Sequence, residues 1–299
     1  MDALYKLQRK RELPTWRSIL YVPANIPRFI AKAASIGADA ITVDLEDAVP
    51  PQEKQRAREA LSATVAQVGS AGADVIVRIN RPISLAVRDA EAAVGSGVCA
   101  LTLPKIDGPS HVRLLDELVT ECEDKQGLKL GHTAFLVAIE TPEAFECMRE
   151  IASASPRVVA MMLSSEDLPT ECGFEPSEMT LWAPKQQMVF AAAAAGVRPL
   201  GFLGTLASFK DPVAFREMIR RSRQFGFTGA SCIHPMQVAV LNEEFGASDA
   251  EIALAQRIVD EYEAGLKSGR GTFQIDGMMI DIPVVDRARK TLARRLTKR

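Results

Sequence analysis

Short apolar runs rich in Val and Ile recur along the chain, and a longer stretch with one apolar and one polar face follows each of them. Eight such runs are present: 18–24 (SILYVPA), 39–45 (DAITVDL), 74–80 (DVIVRIN), 98–104 (VCALTLP), 133–140 (TAFLVAIE), 158–165 (VVAMMLSS), 198–204 (RPLGFLG) and 229–235 (GASCIHP). Runs that are apolar throughout belong to strands covered on both faces, and helical segments between them make parallel βα units. In 51–68, for instance, Ala57, Ala60, Leu61, Val65 and Val68 fall on one helical face. Eight strand and helix alternations predict an α/β fold, a (β/α)8 TIM barrel over residues 1–245. A doubly wound nucleotide-binding sheet is disfavoured, because neither G-x-G-x-x-G nor G-x-x-x-x-G-K-[ST] occurs.

Beyond the eighth run the pattern changes. Ser248 and Glu251 have the spacing of a capping box, and Ile252, Ala255, Val259, Tyr262 and Leu266 share a face of the helix that follows. A glycine-containing hairpin and a basic amphipathic helix come next. Residues 246–299 therefore read as a C-terminal extension that must pack on its own barrel or on a neighbouring subunit.

Composition narrows the class of protein without naming a chemistry. The 299 residues are 47% hydrophobic and 25% charged, with a formal net charge of −2 and a pI near 6.0, so neither nucleic acid nor an anionic membrane is an expected partner. Five cysteines stand singly, without C-x-x-C pairs, and no run is long and apolar enough to cross a membrane. A reducing, cytoplasmic location is the expectation.

Candidate chemistry lies where a barrel places its active site, at the C-terminal ends of the strands. Reading each run to its end collects Tyr21 and Asn25, then Asp44, Glu46 and Asp47, then Arg78 and Asn80, then Lys105, Glu140, Glu166 with Asp167, and His234. A glutamate closing a Val-Ala-Ile strand is costly to bury without a cation or a base beside it, and Arg78 poses the same problem with opposite sign. The bland reading of each is a helix cap or a structural ion pair. Carboxylates from adjacent strands, with few histidines, suit a hard divalent cation such as Mg²⁺.

The segments SILYVPANIPRFIAKA, GADAITVDLEDAV, VRIN, LPKI, AIETPEA, SSEDLPTECG, GFTGASCIHPMQV and GMMIDIPVVDRA, in this order between Ser18 and Ala288, resemble the HpcH/HpaI aldolase and citrate lyase β-subunit family, most of all its malyl-CoA and citramalyl-CoA lyase branch. The resemblance implies a Mg²⁺-dependent barrel, with Mn²⁺ as a possible substitute, that cleaves or forms a carbon–carbon bond in a 3-hydroxyacyl-CoA. Products would be acetyl-CoA and a 2-keto acid, and the enzyme would be a homotrimer or a hexamer. It implies Glu140 and Asp167 as metal ligands and Arg78 as the substrate-contacting arginine. Asp281 becomes the acid/base delivered across a subunit interface, and Glu46 and Asp47 orient Arg78 or metal-bound water. Tyr21 and Asn25 join Arg78 and Glu140 around the substrate, while Arg17, Arg28, Lys32, Arg81 and Lys105 are candidates for the phosphates of coenzyme A. Departures from the family pattern are Pro-Ala-Asn at 23–25, Lys185 where an arginine is common, and Gly229-Ala230 where Gly-Lys is common. Three other functions fit parts of the pattern: a citryl thioester lyase subunit working with an acyl carrier protein, a class II aldolase acting on free hydroxy-keto acids, and a non-catalytic CoA-binding barrel.

Overall fold

A computed structural model describes residues 12–95, 97–205, 211–267, 273–275 and 277–294. Strands β1 (Ser18–Pro23), β2 (Ala40–Asp44), β3 (Asp74–Arg78), β4 (Ala100–Leu103), β5 (Ala134–Ile139), β6 (Val158–Leu163), β7 (Arg198–Leu200) and β8 (Ala230–Cys232) fall one in each apolar run. They form a single parallel sheet in the order β7-β6-β5-β4-β3-β2-β1-β8. The remaining seam is bridged by Thr228 N–H to Pro199 O (3.0 Å) and Gly201 N–H to Gly229 O (2.8 Å), so the sheet closes into a barrel. Strands β2, β4 and β5 are buried at every position, which is why their sequences show no alternation. At the foot of β8 the backbone of Gly229 passes so close to Trp16 that a Cβ there would stand 1.8 Å from the Trp16 carbonyl oxygen. No side chain fits, which explains the glycine.

Small residues line the interior. Ala40, Ala100, Ala134 and Ala160 pack with Ile19, Ile76, Leu136 and Leu200. The barrel interior is thus a packed core of side chains rather than a pore.

A buried polar post supports the β2 and β3 ends. Asp89, fully buried on helix Ile83–Ala93, accepts from Arg58 Nε (2.8 Å), Asn80 N–H (2.8 Å) and Asn80 Nδ2 (2.6 Å). Asn80 Nδ2 also donates to Leu45 O at 2.9 Å, fixing the loop that carries Glu46. Removing one partner strands the others in the interior, so Asp89→Ala should lose about 3–5 kcal/mol of stability in urea denaturation.

The chain divides into two compact units between Asn242 and Glu243. The second contains helix Asp249–Lys267, an antiparallel hairpin of β9 (Phe273–Ile275) and β10 (Met278–Ile280), and helix Ile282–Leu292. Ser248 and Glu251 form the capping box: Glu251 N–H donates to Ser248 Oγ (3.2 Å), and Ser248 N–H donates to Glu251 Oε2 (2.9 Å). Ala255, Ile258, Val259 and Tyr262 pack against Ile275, Ile280, Val285 and Ala288. Leu266 is exposed, so the apolar face ends a turn earlier than its spacing predicts. Among the described residues no helix is long and apolar enough to cross a membrane.

Candidate active site

Parallel register brings the β2 and β3 ends side by side and sets Asp44 opposite Arg78. The guanidinium grips Asp44 in two-pronged fashion, Nε to Oδ1 at 2.8 Å and Nη2 to Oδ2 at 2.6 Å. Its Nη1 stands 2.9 Å from Glu46 Oε2, an ion pair that lacks hydrogen-bond alignment. Burial works against the Arg78 charge, but the hydrogen bond and charge of Asp44 more than reverse it and hold its pKa above the usual arginine value. The guanidinium carbon lies 5.2 Å from the centre of the Tyr21 ring, so the tyrosine forms one wall of its slot. Burial pushes the Tyr21 phenol up to about 12, so the ring faces Arg78 in its neutral, protonated form.

Lys105 follows β4 and reaches two ways. Its Nζ donates to Glu46 Oε1 at 2.6 Å and to both Asp47 oxygens at 3.1 and 3.2 Å. Its main-chain N–H donates to Glu140 Oε2 at 2.7 Å. Burial again opposes the charge, but Glu46 and then Asp47 hold the ammonium well above the ordinary lysine range. Within the cluster burial raises Glu46. Burial also pushes Asp47 upward, yet the Lys105 hydrogen bond and charge leave it lowered.

Glu140 comes directly after β5, and Thr141 caps the next short helix by accepting from Ala144 N–H (3.2 Å). The Glu140 residue is 6% exposed. Burial, followed by the charges of Asp167 and Glu46, pushes its carboxyl up to about 7. Asp167 opens the helix after β6, and its Oδ2 accepts from Ser164 Oγ at 2.6 Å. The buried Glu140 carboxyl is raised by burial and by the nearby charge of Asp167, and the opposing pull of Arg78 does not cancel this. All the donor atoms of Glu140 and Asp167 are oxygen, so a hard cation fits and a soft one does not. Among the described residues no group of three or more His, Cys, Asp or Glu side chains is arranged as a complete cage. A two-carboxylate set that leaves positions for water and substrate is the kind Mg²⁺ takes.

The remaining candidates scatter. Arg17 is a correction: it precedes β1 and so lies at the opposite end of the barrel, with Nε and Nη2 on Asp39 (2.7 Å each) and Nη1 on Asn242 O (3.2 Å). It cannot serve a ligand at the mouth. Lys105 is committed to carboxylates, a poor arrangement for binding phosphate, and Arg81 is paired with Asp107 on the neighbouring loop. Arg28 and Lys32 are exposed on helix Pro27–Ala33 just after β1. Asn25 donates to Glu53 Oε2 at 2.7 Å, which holds the β1 loop. Asp281 belongs to the second unit, where its carboxylate caps helix Ile282–Leu292 by accepting from Val284 N–H at 3.2 Å.

Two residues were visible in the sequence but carried no assigned role. Asp44 was visible as an acid at a strand end, and aligning VDL of β2 with VRI of β3 as parallel neighbours would have paired it with Arg78. Lys185 stood out only as a lysine where an arginine is common, and a single charge on an apolar helix did not say what it holds. It is 1% exposed, and its amine donates to Phe202 O (2.6 Å), Gly204 O (2.8 Å) and Leu203 O (3.4 Å), while burial pushes its pKa down to about 7. Ser165 Oγ donates to the same Gly204 O at 3.4 Å, which links the β6 and β7 loops.

Fold and site together define a parallel barrel whose mouth holds five carboxylates around an arginine and a lysine, a setting for oxygen-ligand cation chemistry. The chain belongs to the HpcH/HpaI aldolase/citrate lyase family, whose model it matches over residues 17–235. These are lyase-type enzymes. It is 31% identical over 279 residues to the citrate lyase subunit beta of Leuconostoc mesenteroides subsp. cremoris, covering 92% of each chain. It is 32% identical over 282 residues to the (3S)-malyl-CoA thioesterase of Cereibacter sphaeroides, covering 93% of this chain and 94% of that one. Protein CitE of Mycobacterium tuberculosis, solved in complex with magnesium, acetoacetate and coenzyme A, superposes with a TM-score of 0.71 at 29% identity, over 93% of this chain and 97% of that one.

Proposed function

We propose that this protein cleaves, or in reverse forms, the carbon–carbon bond of a 3-hydroxyacyl-CoA that carries a carboxylate beside its hydroxyl, as malyl-CoA and citramalyl-CoA do. The observation behind the reading is the buried Glu140 carboxyl, raised by burial and by the charge of Asp167, at the same mouth as the pinned Arg78. Magnesium and coenzyme A in the Mycobacterium structure support it.

Glu140 and Asp167 would hold Mg²⁺, which when bound supplies Lewis-acid polarisation of the hydroxy-acid oxygens. Arg78 spends two of its N–H donors on Asp44, and the guanidinium is thereby fixed with donors left for a substrate oxygen. Such a fixed donor stabilises charge growing on the thioester oxygen as the bond breaks, an effect typically worth about 2.7–4 kcal/mol. The hydroxyl gives its proton to solvent water at the mouth and becomes the carbonyl of the keto acid, and the pair of the broken carbon–carbon bond moves into a thioester enolate. Asp281, supplied by a neighbouring copy of the chain, protonates that enolate carbon to the methyl group of acetyl-CoA. Assembly has its own support: helix Glu178–Ala195 leaves Met179, Trp182 and Phe190 exposed, an apolar face suited to burial against another chain.

The test is product formation from malyl-CoA, citramalyl-CoA and citryl-CoA with Mg²⁺ or with EDTA. Acetyl-CoA and one keto acid should appear with Mg²⁺ and fall at least about a hundredfold with EDTA. Turnover unaffected by EDTA would sink the proposal. Turnover of citryl groups only on an acyl carrier protein would favour the citryl thioester lyase reading.

A further inference from the structure

We infer that Lys105 is a positioning residue that sorts the carboxylates of the mouth, reserving Glu140 and Asp167 for the cation and withholding Glu46 and Asp47 from it. One residue touches both groups. Its ammonium lies on Glu46 and Asp47, and its main-chain N–H lies on Glu140. That double reach demands an unusual backbone: Lys105 is the only non-glycine residue at positive φ (47°) among the described residues. A lysine in the left-handed region is strained, and such strain persists where surrounding contacts hold it.

The arrangement has an electrostatic consequence. With five carboxylates against two cationic side chains, an unguarded mouth would offer a divalent ion several competing oxygen sets. Arg78 occupies Asp44 and faces Glu46, and Lys105 takes the other Glu46 oxygen together with Asp47. The Glu140 oxygen held by the Lys105 N–H is oriented by a neutral donor, and among the described residues no lysine or arginine forms an ion pair with it. A phosphate-binding lysine would instead point an unengaged ammonium at solvent.

This inference rests on the proposed Mg²⁺-binding function, and the two fail differently. Titration calorimetry of the full chain with Mg²⁺, without substrate, should show Lys105→Met binding the ion about tenfold more tightly than wild type, because one positive charge has left the mouth and two carboxylates have been released. With thioester substrate the same variant should lose at least about tenfold in kcat while KM changes less than about twofold, since the ion now has wrong sites available. Lys105→Arg should restore the wild-type Mg²⁺ affinity. Lys105→Gln repeats the test should Lys105→Met fail to fold by circular dichroism. Unchanged or weaker Mg²⁺ binding, with a raised KM for the acyl-CoA, would overturn the inference and return Lys105 to the coenzyme. Wild type that binds no Mg²⁺ would overturn the function itself.

Discussion

Replacing Glu140 with glutamine is expected to stabilise the metal-free protein while abolishing its Mg²⁺ binding. Glu140 sits near 7 in the folded chain against 4.5 for an unperturbed glutamate, chiefly because it is buried and then because Asp167 is close. The folded state therefore holds this proton more tightly than the unfolded state does. Below 4.5 the group is neutral in both states and costs nothing. As pH rises towards 7 the unfolded chain releases the proton first, and above 7 the folded protein carries a carboxylate that costs about 3 kcal/mol. Glutamine keeps an oxygen for the Lys105 N–H and removes the charge. In urea denaturation with EDTA at pH 8, Glu140→Gln should be more stable than wild type by about 3 kcal/mol, and the gain should shrink towards pH 5. Added Mg²⁺ should stabilise wild type and leave the variant unmoved. A variant less stable than wild type at pH 8 in EDTA would show that Glu140 has a structural partner after all.

The second large effect is expected at Asp281. Its carboxylate caps helix Ile282–Leu292, a role that asparagine fills about equally well. Asp281→Asn should therefore melt with wild type and leave the packing around Val285 and Ala288 intact. If Asp281 is the acid that protonates the enolate, the variant cannot deliver the proton, and kcat should fall by about 100- to 10,000-fold. Wild-type turnover in Asp281→Asn would reduce this residue to a helix cap. Mixing inactive Asp281→Asn with inactive Arg78→Gln should recover activity in hybrid assemblies if the acid comes from a neighbouring copy, because some mouths then have both groups intact.

How much of this was legible in the sequence differs from one element to the next. The eight strands were readable because a barrel strand is covered on both faces, so that runs such as AITVD and AFLVAI are apolar along nearly their whole length. Glu140 stood out because a carboxylate ending such a run needs a reason. Arg17 was misplaced needlessly: a residue before a barrel strand lies at the opposite end from the mouth, and that much follows from order alone. The partnership of Asp44 with Arg78 needed register, which hydrophobic pattern constrains only through strand ends. Lys105 was out of reach for a different reason. Its two contacts depend on a left-handed backbone at a non-glycine position, and no residue type announces that.

If the mouth breaks a carbon–carbon bond by way of a thioester enolate, turnover in D₂O will label the product. With malyl-CoA and Mg²⁺ the released acetyl-CoA should carry one deuterium in its methyl group, accompanied by stoichiometric keto acid, because the enolate carbon takes its proton from an acid exchanging with solvent. Free coenzyme A with intact malate, and no deuterated acetyl-CoA from any of the three thioesters, would mean that only the thioester bond is cut and that no enolate forms.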